Sequence, residues 1–170
     1  LSNGDQPSSQ SILCLASFKQ LNEIKLCDLI TINSDIKEVF LRQVVEPNLE
    51  AKLRKTIPTL NEINDAISSK VREQYEANPY PRWVNLGLPL LPLTVSEVVN
   101  QLQLKLFDEG ITKVHAPDIL VAGCGTGQHS LETALTFKDC NVAAVDLSLS
   151  SLAYASRKTK ELAIKNIEYM

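Results

Sequence analysis

The stretch Asp118-Ile-Leu-Val-Ala-Gly-Cys-Gly-Thr-Gly127 constrains this chain most, because an apolar run opens directly onto three glycines at alternate positions. A short apolar run closed by glycine reads as a buried strand of a parallel sheet, expected over 118–122. Glycine accepts the backbone angles of a sharp strand-to-helix turn. The run therefore predicts a helix over 127–137 with loop N–H groups free to face a ligand. A second apolar run, Val142 to Val145, ends in Asp146. That sets a carboxylate at the tip of the neighbouring strand, expected over 141–146, where it can accept hydrogen bonds from ribose hydroxyls. A helix over 149–164 and a strand from Asn166 extend the alternation, which implies right-handed crossovers and a parallel α/β sheet.

Upstream the pattern changes. Between Ser11 and about Ala77 the periodicity is helical, with Ile12, Leu15, Ala16 and Leu21 on one face and Ile36, Val39, Phe40 and Val44 on another. Ser34, with Lys37 and Glu38 nearby, marks a helix start and Pro47 a stop. Thr59 and Glu62 have the spacing of a capping box for a helix through Ile63, Ile67 and Val71 to Tyr75. Residues 78–95 carry Pro79, Pro81, Pro89 and Pro92, a density that excludes helix and central strand. A short helix from Ser96 to Phe107 follows, with Gly110 as its stop. The expected organisation is a helical segment over 1–77, a proline and aromatic lid-like linker with a short helix over 78–110, and a sheet-forming part over 111–170.

Composition excludes several classes. A net charge of -3 gives no basic surface for neutralising phosphates, so no nucleic-acid partner is expected. Cys14, Cys27, Cys124 and Cys140 form no Cys-x-x-Cys pair, and there are two histidines. Neither a disulfide framework nor a metal site is expected, and a reducing cytoplasm is the simplest setting. The polar start, Leu1 to Gln10, lacks a signal-peptide pattern, and Leu86 to Val95 is too short and too proline-broken to span a bilayer.

The glycine spacing selects among ligands. Read from Gly123, a Gly-x-Gly-x-x-Gly pattern would need glycine at Gln128; read from Gly125, at Ser130. No Gly-Lys-Ser/Thr follows, so a phosphate-cradling loop is excluded. What stands is Gly-x-Gly-x-Gly, and with it the run resembles the first motif of class I S-adenosylmethionine-dependent methyltransferases. Asp146-Leu-Ser resembles their acidic second motif, and Asn166-Ile-Glu-Tyr-Met the strand before the third. The resemblance covers 118–170 and implies a truncated Rossmann-like parallel sheet preceded by a helical segment, with S-adenosyl-L-methionine as cofactor. It implies that Gly123, Gly125 and Gly127 pass beneath the methionine part, with Cys124 and Thr126 of the same loop also cofactor-binding, that Asp146 holds the ribose hydroxyls and that Leu147 packs on adenine. Val121 stands where many members carry Asp or Glu, so the cofactor's ammonium needs another anchor.

Further upstream, Gln43-Val-Val-Glu-Pro and Val71-Arg-Glu-Gln-Tyr-Glu-Ala-Asn-Pro-Tyr-Pro-Arg-Trp resemble a bacterial group of methyltransferases often joined to tetratricopeptide repeats. Rigid prolines can hold Tyr75, Tyr80, Arg82 and Trp83 in fixed directions as a lid. Aromatic faces would attract a sulfonium, and Arg82 could meet the cofactor carboxylate. Equally, Trp83 and Tyr80 could anchor the helical segment to the sheet, with Arg82 in a surface ion pair. Asn78-Pro-Tyr-Pro is not the Asn-Pro-Pro-Tyr motif of amino-group DNA methyltransferases, since Tyr80 replaces the second proline and the preceding Arg72-Glu-Gln-Tyr-Glu is no buried strand.

Other side chains receive plainer readings. Cys124 is expected to fill the turn as a small residue and His129 to lie solvated on the first helical turn, while Lys158, Lys160 and Lys165 read as a solvated helix face. The chain starts at Leu1 and stops at Met170 directly after the third strand, so both ends look cut. The expectation is the N-terminal part of a methyltransferase, inactive alone, with an open sheet edge that could pair with a second copy. The acceptor, a small molecule or a protein, and any catalytic base stay unassigned. Two alternatives remain: a degenerate, non-catalytic binding module, and a nucleotide-dependent oxidoreductase, which Gln128 disfavours.

Overall fold

The computed structural model describes residues 5–25, 27–60, 66–89 and 91–170. The chain divides into two compact units, Leu1–Lys52 and Leu53–Met170.

The first unit is helical. Helix α1 (Ser9–Ala16) starts at Ser8, whose hydroxyl accepts the Ser11 N–H. Short 3-10 turns follow at Leu21–Glu23 and Cys27–Leu29, then α2 (Lys37–Phe40), a π-helical turn (Leu41–Val45) and α3 (Glu46–Arg54). Ile12, Leu21, Cys27, Ile36, Phe40 and Val44 form the core, with Val39 beside them. Leu15 departs from its expected face and is exposed. The Gln43 amide holds two segments at once, accepting the Leu21 N–H and donating to the Ala16 carbonyl. Pro47 does not stop the helix as expected. The π turn takes up the misfit, with the Glu46 N–H reaching back to the Leu41 carbonyl, so the widened turn admits the ring and the missing donor.

In the second unit, α4 (Ala66–Ala77) precedes the proline-rich segment, and the expected box at Thr59 and Glu62, with Ile63, falls partly on residues outside those described. Helix α5 (Val95–Gln101) begins with a capping box of Thr94 and Glu97 and ends well short of Phe107. The chain leaves it through Gln103 at φ 51°, so Gly110 is not its stop. Strands β1 (Asp118–Ala122), β2 (Asn141–Val145) and β3 (Ile167–Tyr169) form a parallel sheet in the order β1-β2-β3. Helices α6 (Gln128–Thr136) and α7 (Leu149–Glu161) connect them.

The register puts Val121, Ala144 and Tyr169 in one row and Ile119, Val142 and Ile167 in the next. Those rows form one face, packed with Ala134 of α6 and with Leu152 and Ala155 of α7. The intervening row, Leu120, Ala143 and Glu168, points the other way. Strand β1 is therefore not wholly buried as its apolar sequence suggests. It lies at the sheet edge, and Leu120 is 66% exposed while Val121 is in the core. No helix among the described residues is long and apolar enough to cross a membrane.

Candidate functional site

The β1 and β2 ends meet at the glycine bend. Gly123, Gly125 and Gly127 all take positive φ, at 70°, 53° and 85°. These are left-handed values that favour glycine. The bend is knitted to the tip of β2: the Gly123 and Cys124 N–H groups both donate to the Val145 carbonyl, at 2.8 and 3.0 Å. The Gly125 N–H donates to Asp146 Oδ2 at 2.8 Å, and the Gly127 N–H to the Cys124 carbonyl at 3.0 Å. The expectation of loop N–H groups free for a ligand is thus overturned at these four residues. Their donors stabilise the turn itself, and the bend presents its Cα surface instead.

Asp146 is held from both sides. Its Oδ2 takes the Gly125 N–H and its Oδ1 takes the Ser148 N–H at 2.9 Å. A carboxylate offers about four acceptor positions, so roughly one on each oxygen stays open for a ligand hydroxyl. Two backbone donors fix the group's orientation before any ligand arrives.

A cleft of about 940 Å³ opens over this arrangement, with Gly123, Gly125, Asp146 and Leu147 on the sheet side and Arg72, Tyr75 and Tyr80 on the other. Its volume lies near the upper end of the range for small-molecule and cofactor sites. A Cβ added at Gly123 or Gly125 would meet nothing within 4 Å, so the backbone there borders open space. Among the described lining residues Asp146 carries the one carboxylate and Arg72 the one guanidinium.

The structure divides the remaining candidates. Cys124, Thr126, Gly127 and Arg82 are not among the cleft-lining residues. A Cβ on Gly127 would lie 2.5 Å from Ala155 Cβ and 3.1 Å from the Tyr169 hydroxyl, so this glycine serves the seating of α7 against the turn. The Thr126 hydroxyl donates to the Pro81 carbonyl at 2.7 Å, and its own carbonyl accepts the Trp83 indole N–H at 3.0 Å. The proline and aromatic segment therefore clamps the glycine bend from behind. Trp83 is buried, while Tyr80 is 76% exposed at the cleft. The Arg82 guanidinium stands 4.8 Å from the centre of the Tyr154 ring, with Arg157 at 4.9 Å from the same ring. Val121 faces the hydrophobic core, so no ammonium anchor exists at that position.

Burial and the nearby Asp146 charge push the Cys124 thiol up to about 12, which makes it inert at neutral pH. His129 is exposed. Lys158 does not belong to a solvated face: its ammonium lies 4.9 Å from the Trp83 ring and donates to the Val84 carbonyl at 3.2 Å. The indole face and carbonyl supply what water would otherwise give this cation.

Sequence reasoning missed Glu76. Its carboxylate accepts the Leu149 N–H at 2.8 Å, the Ser150 N–H at 3.3 Å and the Ser150 hydroxyl. Arg54 and Arg72 approach it at 3.1 and 3.8 Å. A signal was present, because an acidic residue in the last turn of a helix opposes the helix dipole and needs a partner elsewhere.

The α/β unit thus sets an acidic strand tip beside a glycine bend at the floor of an open cleft. Residues 119–170 match the family model described as a methyltransferase domain, a match that begins in β1 and covers less than half of the chain. Among solved structures, the chain is similar to one described as conversion of a disulfide bond into a thioacetal group during echinomycin biosynthesis, at 19% identity and a TM-score of 0.35. It is also similar to coclaurine N-methyltransferase bound to N-methylheliamine and SAH, at 14% identity and a TM-score of 0.39. The alignments cover 61% and 94% of this chain but 37% and 50% of those proteins, so the chain spans half of their length or less. No curated protein matches.

Proposed function

We propose that this chain carries the cofactor-binding part of an S-adenosylmethionine-dependent methyltransferase. The observation that carries the reading is Asp146, aimed into the cleft by the Gly125 and Ser148 N–H groups with an acceptor position open on each oxygen. That geometry suits a vicinal diol, whose two hydroxyls need two adjacent acceptors. Gly123 and Gly125 leave open space into which an amino-acid moiety fits, and Leu147 supplies an apolar contact for a purine. The engaged N–H groups of the bend disfavour a pyrophosphate, which needs free backbone donors.

S-Adenosylmethionine supplies an activated sulfonium methyl group for in-line transfer to a nucleophilic acceptor atom. The chain's own contribution is alignment and exclusion of water. Asp146 would hold the sugar, the bend would leave room beneath the methionine part, and Tyr75 and Tyr80 would face the ligand from the opposite wall. No side chain of the cleft is assigned as a base, and the acceptor is left open. The test is titration calorimetry of the chain with S-adenosylhomocysteine, with NAD as comparison in a thermal-shift assay. Saturable heat with the first and no shift with NAD are expected. A shift with NAD and no heat with S-adenosylhomocysteine would replace this reading with a nucleotide-dependent oxidoreductase, and silence with both would favour a non-catalytic module.

A further inference from the structure

Helix α4 supplies a wall of the cleft through Val71, Arg72 and Tyr75, residues that share a face at helical spacing. None of its residues is buried, and Ile67 is 74% exposed, Tyr75 40% and Val71 39%. A helix that hides so little apolar surface gains little from the hydrophobic effect, so polar ties weigh heavily in its position. Glu76, side chain 14% exposed, is such a tie. It satisfies the first two orphan N–H groups of α7, at Leu149 and Ser150, while Ser148 satisfies the next at Ser151. A carboxylate at a helix N-terminus also gains from the helix dipole. The residues it grips lie one residue beyond Asp146 and Leu147, which line the cleft from below.

We propose that Glu76 is a positioning residue of the cofactor site, pinning the α4 wall onto the start of α7 so that Arg72 and Tyr75 stand opposite Asp146. The inference rests on the cofactor reading above. It separates two roles that a capping carboxylate can have. As a helix cap, Glu76 would affect folding alone. As a pin, it sets the fraction of molecules whose cleft has both walls in place, and the apparent affinity for ligand falls in proportion to that fraction.

The experiment compares the unaltered chain with Glu76→Ala, Glu76→Gln and Thr94→Ala. Thr94→Ala removes the cap of α5, away from α4 and the cleft lining. Two readouts are taken: hydrogen exchange at the Leu149 and Ser150 amides without ligand, and the affinity and dissociation rate of S-adenosylhomocysteine. Glu76→Ala is expected to speed exchange at both amides, to weaken binding about tenfold and to raise the dissociation rate more than it lowers association. Glu76→Gln, which keeps a carbonyl acceptor, is expected to recover part of the loss, and Thr94→Ala to bind like the unaltered chain. Equal weakening by Thr94→Ala and Glu76→Ala would overturn the proposal in favour of a general loss of stability. So would unchanged binding by Glu76→Ala despite faster exchange. If the unaltered chain shows no binding, the cofactor reading fails and the positioning role with it, whereas binding that Glu76→Ala leaves intact refutes only the latter.

Discussion

Gly123 and Gly125 differ from Gly127 although all three share one motif and left-handed backbone angles. At the first two an added Cβ would enter open space; at the third it would collide with Ala155. The same residue type therefore borders an open cleft on one side of the bend and serves helix packing on the other. Alternate glycines in a strand-to-helix turn need not share a role, and the division of labour follows from which neighbour each Cα faces.

The comparison can be broken most forcefully at its packed end. Gly127→Ala combines left-handed strain with overpacking against Ala155 and Tyr169, an expected loss of about 3 kcal/mol in urea unfolding. Gly125→Ala carries the strain without the collision, so a loss of about 1–2 kcal/mol is expected. Equal losses at the two sites would erase the distinction. The clamp behind the bend is a smaller effect. Trp83→Phe strips the Thr126 carbonyl of its buried donor and should cost about 1 kcal/mol, with the Leu149 amide unaffected in hydrogen exchange.

The packed side also has a pH signature. Burial raises both the Cys124 thiol, from 9.0, and the Tyr169 hydroxyl, from 10.0, to about 12 in the folded chain. The unfolded chain loses these protons at lower pH, so above pH 9 it binds fewer protons than the folded one. Stability is then complete below pH 9 and falls as pH rises towards 12. Unfolding midpoints measured across that window should decline, and Cys124→Ala with Tyr169→Phe should flatten the decline. At neutral pH, alkylation should reach exposed Cys14 and spare Cys124.

Much of the sheet half was legible because its signals are local. Apolar runs, glycines and the spacing to Asp146 mark β1, the bend and β2 without knowledge of what they touch. The helical half was legible less well. Periodicity put Leu15 and Leu21 on one helical face, but Leu21 is buried from a 3-10 turn beyond α1 while Leu15 is exposed on the helix itself. Pro47 passed through a helix because a π turn absorbed it. Glu76 and the split roles of the three glycines were hidden for a different reason: each depends on a partner far along the chain, Leu149 and Ala155, that periodicity does not identify.

The central claim is that Asp146 receives a sugar diol, and the most direct measurement compares S-adenosylhomocysteine with its 2′,3′-dideoxy analogue on the unaltered chain and on Asp146→Asn. The unaltered chain should bind the diol form about 10–100-fold more tightly, and Asp146→Asn should lose most of that preference. Equal affinity for the two ligands on the unaltered chain, or a preference that survives in Asp146→Asn, would contradict the account.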